Sequence, residues 1–412
     1  MKYRFVLLAA LCAAPAAAQE FSTSSMRVIA VSDAYSLSLA RSEALARQAE
    51  GAAQLEAAER QFASAFRPSL DFNAALAREQ ERDASSRGYL SAGYRLFSGM
   101  RDYIALKAAS SKTGAARLDL ERARQRLYLS AAQAFITLQT AQREIFIRAE
   151  QLAVTGKRIA ELETRASIGR SRRGEVISAR SQLAQDKAAY LGALAGERSA
   201  QQALKFLTGL SEDLCPAETD LKLRAGLPAY QKLALSRPDV QARRLEAESY
   251  GYLSEVQDRG AWPSLDLAAN YYVLRDPMPE PENRWDAGIF LKLPLYTGGD
   301  LKARKESAAS AAAAARLALD QARREALSEV AAAYDEYTYA ERQALTLAEA
   351  LILAEENARY QQEDYKLGLV TNLDVLSALN TARQTALALA QAQARSGLAL
   401  IKLETAAGAE LK

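Results

Sequence analysis

Leu96-Phe97-Ser98-Gly99 returns as Leu295-Tyr296-Thr297-Gly298, 199 residues further along the chain. At the same offset Ile168-Gly169 becomes Leu367-Gly368, Glu175-Val176-Ile177-Ser178-Ala179 becomes Asp374-Val375-Leu376-Ser377-Ala378, and Gly209 becomes Gly408. Upstream, Pro68-Ser69-Leu70-Asp71-Phe72 matches Pro263-Ser264-Leu265-Asp266-Leu267 at an offset of 195. Matches in one register over so long a stretch mark two copies of one unit, and a repeat has to be recognised before any fold is assigned. The expected division is a first repeat over 19–209, a linker over 210–228 with Pro216, Gly226 and Pro228, and a second repeat over 229–412.

Each repeat has the same order: a helix of about 33 residues, an alternating region, a very long helix, a glycine turn and another short helix. The long helices are expected from about Asp102 to Ser167 and from about Asp300 to Lys366. At 1.5 Å per residue each would be about 100 Å long, far beyond a globular helix. Leu127, Ala131, Ala134, Leu138, Ala141 and Ile145 alternate steps of four and three, the seam of an Ala-rich coiled coil.

The alternating regions read as four strands, at about 68–78, 88–97, 263–274 and 284–295. Leu265, Leu267, Ala269, Tyr271 and Val273 interleave with mostly polar or small residues, and Trp285, Ala287, Ile289, Leu291, Leu293 and Leu295 do the same. Apolar-out, polar-in alternation over about ten residues is the pattern of a transmembrane β-strand, although a half-buried soluble hairpin alternates identically. Four strands cannot close a barrel, and an open sheet edge in lipid is costly, so closure needs two, three or four chains. The fold class expected is mainly α with a small transmembrane β part.

At the N-terminus Lys2 and Arg4 precede the apolar run Phe5 to Ala14, and Ala16-Ala17-Ala18 offers small residues. This reads as a secretory signal peptide over 1–18. Cys12 raises a lipid anchor, but the large Leu11 before it argues against one. No later stretch is apolar over eighteen residues, so no transmembrane helix is expected. A net charge of +3 with both signs interspersed argues against nucleic acid. The chain has no histidine, which removes the commonest general base and zinc ligand, and no Gly-rich phosphate loop. Neither an enzyme, a metal site nor a cofactor is expected. The leading alternative is an exported periplasmic coiled-coil scaffold or adaptor that never enters the membrane.

The duplicated Pro-Ser-Leu-Asp strands, LFSG at 96, LYTGG at 295, YKLGLVTNLDVLSA from Tyr365 and SIGRSRRGEVISA from Ser167 together resemble the TolC-like outer-membrane efflux family, across essentially the whole mature chain. The resemblance implies a homotrimer in the outer membrane, with a 12-strand β-barrel over a 12-helix periplasmic tunnel. It implies a passive exit duct for type I protein secretion or multidrug efflux, working with a periplasmic adaptor and an inner-membrane transporter of ABC or RND type. It also implies a periplasmic constriction at Asp374 and Glu175, and adaptor docking at the turns containing Gly169, Gly368, Leu367 and Leu369. The family's second acidic position falls on Ser377 and its basic latch position on Val370, whereas Tyr365 fits the pattern. Arg170, Arg172 and Arg173 crowd the first turn. Arg172 or Arg173, with Tyr365, therefore stands as a candidate substitute latch. For Asp374 a plain helix N-cap is the competing role.

Overall fold

A computed structural model describes residues 27–78, 85–169, 171–217, 223–276 and 283–409. The signal-peptide region, Cys12, Arg170 and parts of both strand-connecting loops lie outside the described residues. The two long helices are α3 (Arg101–Ser167) and α7 (Asp300–Leu367), within a residue of the limits read from the sequence. The helices that return from the glycine turns are α4 (Arg173–Thr208) and α8 (Asn372–Ala407). Both end on a left-handed glycine, Gly209 at φ 72° and Gly408 at φ 72°, a conformation only glycine adopts cheaply.

The helices preceding the strands are each broken in two rather than running unbroken for 33 residues. The first becomes α1 (Val31–Arg41) and α2 (Glu43–Ser64), the second α5 (Leu227–Leu235) and α6 (Pro238–Asp258). Ser42 starts α2 by accepting a bond from the Leu45 N–H, and Pro238 can only sit at the start of α6. The residues at these breaks do parallel work: the Arg41 side chain lies against Gly209 and that of Arg237 against Gly408.

α3 packs against α2 and then α4 on one flank, and against α6 and then α8 on the other; α7 completes the layer beside α6 and α8. One half of the layer thus runs α2, α3, α6, α7 and the other α4, α3, α8, α7. Flanked on both sides, α3 buries more than one seam. Ala131 and Leu138 are fully buried as expected, but so are Ala132 and Phe135, which the four-three spacing omitted.

The linker expected to be irregular carries a short strand. β1 (Arg27–Ile29) pairs in parallel with β4 (Leu214–Pro216), and Ile29 and Leu214 anchor the core beneath Phe135 and Leu204. Besides this pair, the described residues form one four-stranded antiparallel sheet: β2 (Ser69–Ala77), β3 (Ser85–Phe97), β5 (Ser264–Asp276) and β6 (Trp285–Lys292), in that spatial order. β6 stops at Lys292 rather than near Leu295, consistent with Pro294, which has no N–H to continue a ladder. Two register shifts, one between Gly88 and Tyr89 and one between Arg95 and Phe97, make bulges against β5. The first leaves Val273 unpaired where the run Tyr271-Tyr272-Val273-Leu274 breaks strict alternation.

Candidate functional site

Register turns the alternation of single strands into rows across the sheet. Asp71, Ser91, Asn270 and Asp286 stand opposite one another from strand to strand. Asn73 and Asn270 extend this polar face, donating to the Ser91 hydroxyl (2.9 Å) and the Asp286 carboxylate (2.8 Å). The adjacent row, on the opposite face, is Phe72, Leu90, Tyr271 and Trp285, all exposed. An apolar row this continuous, with nothing packed over it among the described residues, suits a hydrocarbon environment better than water.

At the far end of the long helices the two hairpins converge on a small core of Ile159, Leu162, Ala179, Tyr365 and Val375. Tyr365, in the last turn of α7, is 8% exposed. Its ring lies beneath two guanidiniums of α3, Arg158 at 4.0 Å and Arg165 at 4.9 Å from the centroid. Glu161 bridges both arginines, at 2.8 and 3.2 Å. The Tyr365 hydroxyl reaches the Glu175 carboxylate at 3.4 Å, and the same oxygen of Glu175 accepts a 2.5 Å bond from Ser171. The Arg158 Nε donates to the Asn372 side-chain oxygen at 3.1 Å, while its Nη2 is buried with no hydrogen bond. One cluster therefore ties α3, α4, α7 and the first residue of α8.

The sequence-derived site residues divide accordingly. Glu175 and Tyr365 are brought together. Asp374 stands apart from them within the chain: it completes a capping box, accepting from the Thr371 N–H (2.8 Å) and hydroxyl (2.6 Å). Those bonds hold its carboxyl below the usual range, the hydroxyl being the larger cause. The cap role is thus present, and any role at a constriction is additional to it. Arg172 and Arg173 are exposed at the start of α4 and make no ion pair with Asp374 within the chain. Gly169 (φ 74°) and Gly368 (φ 77°) make the two turns, and Leu367 and Leu369 are 74% and 72% exposed. Arg158, Arg165, Glu161 and Asn372 were not singled out from sequence. The signal was available, since Arg158 and Arg165 stand seven residues apart in a chain whose helices pack on a heptad-like spacing.

No helix among the described residues is long and apolar enough to cross a membrane, and no group of metal-binding side chains occurs there. The model of the family described as outer membrane efflux protein matches residues 229–409. That match covers the second repeat, less than half of the chain, and there the chain resembles outer membrane efflux proteins. It is 23% identical to the outer membrane efflux protein BepC of Brucella suis over 80% of this chain and 74% of that one. It is 26% identical to the outer membrane protein TolC of Vibrio cholerae, over 67% of this chain and 66% of that one. Its fold matches the crystal structure of CusC with a TM-score of 0.85 over 92% of each chain, at 19% identity. The two relatives are by description outer membrane proteins, and the match to CusC shows that this chain shares that channel's fold.

Proposed function

We propose that this chain is an outer membrane efflux channel, three copies of which close their four-stranded sheets into one 12-strand barrel and their helices into one 12-helix periplasmic tunnel. The carrying observation is the sheet itself: β2 and β6 have no outer partner strand among the described residues, while the apolar row Phe72, Leu90, Tyr271 and Trp285 faces outward. Each unpaired backbone group in lipid costs several kcal/mol, so edges of this kind need other chains. The assembly is a passive exit duct for type I protein secretion or multidrug efflux. A periplasmic adaptor docks at the turns of Gly169, Leu367, Gly368 and Leu369, and an inner-membrane pump of ABC or RND type supplies the energy.

The tunnel mouth is narrowed by Glu175 and Asp374 of each copy. Tyr365, clamped by Arg158 and Arg165 and bonded to Glu175, restrains it, and Arg172 or Arg173 of one copy latches onto Asp374 of the next. The mass of the detergent-solubilised protein tests the assembly: three copies with heat-modifiable migration are expected, and a folded monomer with an intact sheet would overturn it. Single-channel conductance in planar bilayers then reads the mouth.

A further inference from the structure

Inside one chain, the helices returning from the two tips meet the other repeat only along the seam of α3 with α8. Its contacts are specific. Arg158 donates to the Asn372 side chain (3.1 Å), Glu150 pairs with Arg383 (3.1 Å), Arg122 donates to the Thr405 carbonyl (2.6 Å), and Leu138 and Ile401 share a core. On α8 the residues Asn372, Leu376, Arg383, Ala390, Ile401 and Thr405 recur at steps of four, seven and eleven, the spacing of one helix face. All of them except Arg383 are buried.

The 199-residue offset carries this stripe onto α4 as Arg173, Ile177, Ala184, Leu191, Gln202 and Phe206. Every one of the six is exposed, Phe206 at 82%. The other side of the seam transposes in the same way. Arg122 and Arg158 are buried on α3, while their counterparts on α7, Gln321 and Asn357, are exposed, and so is Glu349, the counterpart of Glu150. The helices themselves correspond closely, α3 with α7 and α4 with α8 agreeing in length to within a residue. What differs is the neighbour: α8 has α3 on its second flank, whereas α4 and α7 each end the layer. Three large apolar side chains, Ile177, Leu191 and Phe206, are therefore left on a flank whose counterpart in the other repeat is covered by a helix.

We infer that copies of this chain meet head to tail, the free flank of α7 on one copy taking the free flank of α4 on the next in the register that α3 takes with α8. The inference rests on the ring of copies proposed above and names the surfaces that build it. Transposing the seam sets Glu349 of one copy beside Ala184 of the next, and Gln321 beside Phe206 of the next. The two surfaces are unlike, so the contact is heterologous and covers every flank only when the ring closes. Ala184 stands where α8 has Arg383, so the seam between copies lacks that ion pair. Burial of Ile177, Leu191 and Phe206 holds it instead.

Cross-linking of the detergent-solubilised full-length protein with a short bis-maleimide, in a Cys215→Ser background, tests it. Ala184→Cys combined with Glu349→Cys should give a ladder that stops at three chains, and neither substitution alone should cross-link. Cross-linking by either one alone would mean a two-fold contact of like surfaces and would overturn the inference. Three copies by mass with no cross-link from the pair would overturn it too, while leaving the three-copy assembly standing. A ladder that stops at another number would uphold the pairing and overturn the count, and a monomer by mass would overturn both. Phe206 is not packed within its own chain, so Phe206→Glu should leave the helical content by circular dichroism unchanged. It should lower the assembled fraction by about tenfold or more, as loss of one large buried apolar side chain implies. An unaltered fraction would remove Phe206 from the seam and the register with it.

Discussion

The guanidinium of Arg158, on the first long helix, lies 4.0 Å from the ring centroid of Tyr365, in the last turn of the second. The pair ties the tips of two repeats that also pack along α3 with α6 and α8 and share a sheet through β3 and β5. Arg158 is 7% exposed, which strengthens a cation–π contact toward the ~2 kcal/mol end of its range. Arg158→Met keeps most of the volume and removes the charge and the bond to Asn372. In bilayers it should shift the mouth toward its open level by roughly tenfold. Tyr365→Phe retains the stacked ring and loses only the 3.4 Å bond to Glu175, so its effect should be smaller. The reverse order of effects would remove Arg158 from the restraint.

Asp374 yields a pH prediction. Its folded-state pKa is depressed by the Thr371 hydroxyl and N–H, so the stability it lends the start of α8 is fully present above the ordinary carboxylate value of about 3.9. That stability is lost as pH falls through the lower, folded value. Side-chain carbon NMR should show Asp374 titrating below that ordinary value, and Thr371→Val should move it upward. An unshifted titration would mean the capping box is not formed in solution.

Asp374 and Glu175 are also expected to form a ring attractive to cations. Asp374→Ala with Glu175→Ala should abolish block by a polycation added from the periplasmic side, since like charges gathered in a pore favour a bridging cation. Retained block would place the ring elsewhere.

For the neighbour-to-neighbour latch, Asp374→Arg should open the mouth, and Arg172→Asp with Arg173→Asp added to it should restore closure. An exposed pair is worth only about 0–1 kcal/mol, so several copies acting together are needed. Purely additive conductance changes across the cycle would assign the arginines to the adaptor instead.

The apolar row offers a different test. Ile289 is 64% exposed and stands opposite Leu267 across β5 and β6. Ile289→Arg or Leu267→Arg should cost about 2–4 kcal/mol if the site lies at the bilayer midplane, and should abolish heat-modifiable migration. The same replacement at Asn270, on the polar face, should be tolerated.

Much of this was legible from the sequence because repeats and periodicity are local signals. The offset between LFSG and LYTG located both long helices to within a residue, and alternation located all four long strands. What escaped depended on contacts far apart in the chain. Phe135 faces core formed by Ile29 and Leu214, and no seam drawn on α3 alone can include it. Arg158 is one basic residue among many on its helix, and its role exists only through Tyr365 of the other repeat, which lies under it. The break at Arg237, by contrast, is written locally in Pro238, which starts a helix but cannot continue one.

The parallel pairing of Arg27–Ile29 with Leu214–Pro216 joins residues separated by almost the whole first repeat. It is a clasp across the two ends of that repeat: Ile29 and Leu214 enter one core with Phe135 and Leu204, so that core is complete only when both ends are in place.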